Sequence, residues 1–92
     1  MYLEIVSPEA TLFEGEVTSV SVPGVQGSFQ VLNNHAPIVS SLSVGKAKIV
    51  GKLDIASEFQ AQFEQNGDET SIALANGGTL EMNDNKVILF VD

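Results

Sequence analysis

The sequence has no cysteine, no tryptophan and no arginine, and one histidine among 92 residues. Without cysteine there is no disulfide framework and no thiolate metal site, which fits a reducing compartment. His35 stands alone, so the histidine pairs of the usual zinc centres are excluded. No apolar run approaches the length of a membrane span. The start, Met1-Tyr2-Leu3-Glu4-Ile5-Val6, carries no basic residue and is unlike a signal peptide. Positive charge is scarce too: four lysines face twelve acids, for a net charge of −8. Such a surface repels phosphate, and nucleic acid is set aside as a partner.

The catalytic repertoire is equally thin. Ser40, Ser41 and Ser43 lack the glycine elbow of a nucleophile. Gly24-Val25-Gln26-Gly27 lacks the lysine and following helix of a phosphate loop and reads as a plain turn. Most carboxylates fall at solvent-facing positions of alternating segments. Lys46, Lys48 and Lys52 form a small basic patch whose default role is local charge balance. Lys86 sits beside a hairpin tip, where lipoyl and biotinyl carriers display their modified lysine. The flanking Asn83-Asp84-Asn85 does not supply the close apolar neighbours such carriers use. No cofactor or metal is indicated, and no enzyme.

What is present is turn and strand chemistry in one domain of 92 residues. Residues 23–45 hold two of the three prolines, three of the eight glycines and the histidine. Pro23-Gly24 predicts a turn with Gly24 at positive φ. Ser28 to Leu32 alternates, with Phe29 and Val31 on one side, as a half-buried strand does. Asn33-Asn34 tolerates left-handed backbone and makes a second corner. Pro37 biases Ala36 to be extended. Tyr2–Val6, Thr11–Glu14, Glu16–Val22, Ile38–Leu42, Thr70–Ala75, Thr79–Met82 and Lys86–Val91 read as further strands, with Gly15 turning the second. Val87–Val91 is apolar on both faces, which predicts a strand covered on both sides.

Residues 47–63 alternate at period two, with Ala47, Ile49, Leu53, Ile55, Phe59, Ala61 and Phe63 on one side. Ser57 and Gln60 have capping-box spacing, so a helix from Ser57 competes. The persistent alternation and the Asn66-Gly67 turn favour strand, broken near Gly51. The pattern predicts an all-β fold, an antiparallel β-sandwich of about eight to ten short strands. Leu3, Ile5, Val20, Val22, Phe29, Val31, Ile72, Leu74, Leu80, Val87 and Leu89 form the expected core.

Five blocks in order resemble the bacterial F-type ATP synthase epsilon subunit. They are Leu3-Glu4-Ile5-Val6-Ser7-Pro8-Glu9, Phe13-Glu14-Gly15-Glu16-Val17, the run Val22 to Leu32, Asn34-His35-Ala36-Pro37-Ile38, and the run Asn76 to Val87. The resemblance covers residues 2–44 and about 66–92, while 46–65 is longer than the family's usual connection. Asn33-Asn34 stands where the family usually has Pro-Gly. Gln30 and Ser28 stand where a glycine and often an acid are usual.

The resemblance implies the epsilon N-terminal β-sandwich without the family's two-helix C-terminal domain. It implies a non-catalytic rotor subunit of the central stalk, joining gamma to the c-ring and coupling proton-driven rotation to ATP synthesis. The location implied is the cytoplasmic face of the bacterial plasma membrane, held there peripherally through the complex. Val25, Gln26, Gly27 and Ser28 would face the polar loops of the c-ring. His35, Ala36, Pro37 and Ile38 would lie near gamma. These turns are poor in charge and are expected to gather in one region. With no helical domain to extend, coupling without inhibition of the extending kind is expected. The rival readings are a lipoyl- or biotinyl-type carrier and a free-standing β-sandwich binding module.

Overall fold

The computed structural model describes residues 1–92. Ten strands account for most of the chain: β1 (Tyr2–Val6), β2 (Thr11–Glu16), β3 (Ser19–Gly24), β4 (Gly27–Leu32), β5 (Ile38–Leu42), β6 (Gly45–Val50), β7 (Phe63–Asn66), β8 (Glu69–Leu74), β9 (Gly78–Asn83) and β10 (Lys86–Val91). All pair antiparallel except β1 with β10, which run parallel. The order is β2-β1-β10-β9-β5-β3-β6-β8-β7, with β4 paired to β3 off this path. The all-β fold expected from the alternation is the fold observed: a sandwich-like sheet that curls on itself.

Strand β3 makes the curl. It pairs with β4 along its whole length, with β6 over Ser19–Ser21, and with β5 only at Gly24↔Leu42. It thus changes neighbour partway along. Pro23 lies at that change, where its missing N–H costs no ladder bond. Its carbonyl instead accepts from Ser43 N at 2.8 Å and Ser43 Oγ at 3.1 Å.

Inward positions of the strands build one core of 22 buried hydrophobic residues. Leu3, Ile5, Val20, Val31, Ile49, Leu74, Leu80, Val87 and Leu89 are each 0% exposed. Each fully buried side chain of this size contributes about 1.5–3 kcal/mol relative to leaving it in water. Phe29 is the exception among the expected core residues: it is half-buried and packs against the core from the side.

Four local expectations are corrected. Gly24 has no positive φ; the turn residues are Val25-Gln26, and the positive φ falls on Gly27, at 130°. Gly24 is required for space, since a Cβ there would lie 2.7 Å from the Gly27 carbonyl oxygen and 2.8 Å from the Phe29 ring. Strand β2 runs through Gly15 to Glu16 without turning. Strand β10 is central in its sheet, but Ile88 is half-buried and Phe90 exposed, because no layer covers its outer face.

The fourth correction is the largest. Residues 47–63 are not continuous strand: β6 stops at Val50, Ser57–Gln62 is a 3₁₀ turn, and β7 begins at Phe63. Both edges of β6 are already taken, by β3 and β8, and Gly51 at φ 149° turns the chain away. The alternation survives because Leu53 and Ile55 still drop into the core. Polar side chains replace the missing ladder. Gln65 Nε2 donates to Leu53 O at 3.2 Å, and Gln60 Nε2 donates to Ile55 O at 3.1 Å. No side chain caps the 3₁₀ turn, so the Ser57–Gln60 capping box does not form.

Candidate functional site

From Val17 to Gly45 the chain has no Asp, Glu, Lys or Arg. All sixteen charged residues lie on the other segments. The uncharged stretch folds into β3, β4 and β5 with their two connecting turns. Val25, Leu32, Val39 and Val44 within it are 50–73% exposed. An exposed apolar surface free of charge has the composition of an interface centre.

The first turn, Val25-Gln26-Gly27-Ser28, is fully exposed and is anchored by Val25 N donating to Ser41 O at 3.1 Å. It borders an open groove of about 610 Å³, shared with Phe29, Ile38, Val39, Ser40 and Ser41. The groove has no charged or metal-ligating side chain, and offers Phe29, Ile38, main-chain groups and serine hydroxyls. That is chemistry suited to docking.

The second turn lies at the far end of β4, about 17–20 Å away for a strand of this length. Asn34 takes φ 63°, as the sequence predicts. His35 N donates to Leu32 O at 3.0 Å, and His35 Nδ1 lies 2.7 Å from Ala36 O, the geometry of a donated N–H. His35, Ala36 and Pro37 border the β9–β10 turn at Asp84 and Asn85. The predicted contact segments meet at Ile38, which lines the groove with the first turn. His35, Ala36 and Pro37 lead into it from the hollow they share with Asn34, Asp84 and Asn85.

A polar cluster that sequence reasoning missed fixes this second end. Asn85 Nδ2 donates to Asn33 Oδ1 at 2.8 Å, and Asn34 N donates to Asn85 Oδ1 at 2.7 Å. The Met1 ammonium donates to the same Asn33 Oδ1 at 3.0 Å and to Val17 O at 3.2 Å. The partners lie 16 to 52 residues apart, so no local spacing reveals them.

The acids concentrate elsewhere. Glu4 and Glu14 are direct neighbours across β1 and β2, an unfavourable pairing offset by Lys86 Nζ at 3.1 Å from Glu4. Lys86 Nζ also lies 5.8 Å from the Tyr2 ring centroid. The lysine is thus engaged on the strand face rather than displayed at a tip, unlike a carrier lysine. Desolvation, then the nearby Glu14 carboxylate, then Glu4, push the Tyr2 phenol above its ordinary range, with Lys86 opposing.

A family model described as ATP synthase, Delta/Epsilon chain, beta-sandwich domain matches residues 1–92. The chain belongs to this family. The match runs straight through 46–65, which the sequence blocks did not reach. Among curated relatives, the ATP synthase epsilon chain of Chlorobium limicola is 38% identical over 90 residues, covering 98% of this chain and 86% of that one. The epsilon chain of Leptospira interrogans is 32% identical over 98% of this chain but only 59% of its own length. In solved structures, the delta/epsilon fold recurs in the Tetrahymena thermophila mitochondrial ATP synthase central stalk and c-ring, at TM-score 0.66 and 14% identity, over 100% of this chain and 63% of that one. It recurs also in the Euglena gracilis mitochondrial ATP synthase, at TM-score 0.70 and 18% identity, over 97% of this chain and 48% of that one. At these identities the likeness is one of fold. No helix of the delta/epsilon-type chain is long and apolar enough to cross a membrane.

Proposed function

We propose that this chain is a non-catalytic subunit of the central stalk of a proton-translocating F-type ATP synthase. It joins the gamma subunit to the c-ring and couples rotation to ATP synthesis. It sits peripherally on the cytoplasmic face of a bacterial plasma membrane, held by the complex. The observation that carries this reading is the charge-free stretch from Val17 to Gly45, which presents an exposed turn at each end of one rigid strand. A connector between two proteins needs two separate contacts and a stiff body between them. Val25, Gln26, Gly27 and Ser28 meet the polar loops of the c-ring at one end. His35, Ala36, Pro37 and Ile38, which lead from the second turn into β5, meet gamma.

Mechanically, torque enters at one turn and leaves at the other. The intervening β3–β4 ladder is backed by Val20, Val22 and Val31, all buried, so the load falls on a close-packed core. Cysteine pairs test the assignment. With Ser28→Cys the crosslink goes to a c-ring loop, and with His35→Cys it goes to gamma. Cysteines at Asn66 or Glu69, at the β7–β8 hairpin, give neither. Loss of both crosslinks in an assembled, active complex removes the assignment.

A further inference from the structure

We propose that the free edge of β4 receives an extended segment of the gamma subunit as an added strand. This rests on the reading above and specifies how that contact is made.

The edge is defined by hydrogen-bond parity. Gly24 and Gly27 close the hairpin around Val25-Gln26. A closing pair of this kind is hydrogen bonded, and bonded and non-bonded pairs then alternate along the ladder. Gly27, Phe29 and Val31 turn their main-chain groups toward β3. Ser28, Gln30 and Leu32 turn theirs away from it. Of these outward groups, Leu32 O accepts from His35 N, while Ser28 and Gln30 take part in none of the bonds outside the ladders. All three residues are exposed.

The other terminal edges are guarded. Strand β2 carries Glu14 and Glu16 and a register shift opposite Ile5–Val6. Strand β7 is four residues long and carries Glu64. Charge, irregularity and shortness are the devices that keep edges unpaired. Strand β4, Gly-Ser-Phe-Gln-Val-Leu, has six residues, no charge, no proline and no shift of register. Nothing on it resists strand addition.

The same edge runs from the turn assigned to the c-ring to the turn assigned to gamma, so it continues the proposed contact rather than opening a new one. Its inner side adds Phe29 and the groove shared with Ile38; its outer side adds Leu32, 50% exposed. The occupant is an extended segment with apolar residues at alternate positions and no run of acids, since this chain already carries −8.

Gln30 gives a clean test, because its N–H faces outward. Gln30→Pro removes the outward donor and blocks an added strand while sparing the bonds to β3. Gln30→Ala removes only the side chain. With purified gamma as the probe, Gln30→Ala binds as the parent chain does, and Gln30→Pro binds at least about tenfold more weakly. In the unsubstituted chain, the Gln30 and Leu32 amides exchange rapidly when free and become protected on adding gamma, a reading that stands even if Gln30→Pro fails to fold. Unchanged binding by folded Gln30→Pro, or amides that stay unprotected in the complex, overturns the strand addition and leaves the stalk assignment standing. Protection that appears without gamma and grows with concentration overturns it in favour of a second copy of this chain. No binding of gamma by the parent chain overturns the stalk reading itself.

Discussion

Asn85 and Asn33 lie 52 positions apart and are joined by a side-chain hydrogen bond of 2.8 Å. The bond ties the β9–β10 hairpin to the corner between β4 and β5. Asn85 also holds a left-handed φ of 60° and accepts from Asn34 N. One residue thus sets a turn and clamps a second.

Replacing Asn85 with alanine loses two hydrogen bonds and a residue suited to positive φ, a destabilisation of about 1–3 kcal/mol. Asn33→Ala loses the acceptor of the same bond. Because the two are partners in one bond, the double variant costs less than the two single costs together. Denaturant unfolding of the four proteins measures this, and strict additivity refutes the clamp.

Gly24→Ala destabilises by about 1–3 kcal/mol, through overpacking against the Gly27 carbonyl and the Phe29 ring. Gly27→Ala meets no atom within 4 Å and suffers only from its φ of 130°. The check is thermal unfolding combined with a spectrum of the Phe29 environment. Only Gly24→Ala moves the Phe29 signal.

Much of this was legible in the sequence. Period-two alternation located most strands, and ten of the eleven expected core residues are buried, since inward-facing Leu, Ile and Val mark a curled sheet directly. What was hidden has three physical sources. Alternation reports burial, not pairing, so Leu53 and Ile55 looked like strand although they belong to a loop stitched down by glutamines. A glycine in a turn looks the same whether it supplies positive φ or room for a neighbour, as Gly24 shows. Contacts between distant asparagines leave no periodic trace. The turn residues of the candidate site were legible as turns, but the groove they share with Ile38 depends on the course of β4 and β5.

The stitched segment gives its own prediction. Gln60→Ala and Gln65→Ala each remove a bond worth about 0.5–1.5 kcal/mol to a carbonyl of the 51–56 loop. The effect is local. Hydrogen exchange quickens at Phe59 N, which is bonded to Ala56 O at 2.9 Å, while β6 and β8 amides keep their protection. Equal quickening across β6 and β8 contradicts a locally fastened loop.

Tyr2 is the only tyrosine and there is no tryptophan, so its ionisation is read directly by ultraviolet titration. Its phenol titrates above the ordinary value of 10.0. The neutral form is the favoured one in the folded chain. Its contribution to stability is therefore intact below that ordinary value and lost as pH rises through the raised one. Glu14→Gln brings the midpoint down toward the unfolded value; a midpoint indifferent to Glu14 contradicts the contact.

The central claim is that this chain couples rotation rather than performing chemistry. The most direct measurement is ATP-driven proton pumping by membranes of the source organism stripped of this subunit, before and after the purified chain is added back. The account predicts weak pumping without the chain and restored pumping with it. It also predicts that the Ser28→Cys protein supports pumping until a thiol reagent occupies the turn. Pumping that is full without the chain, or that never returns on adding it, would contradict the account.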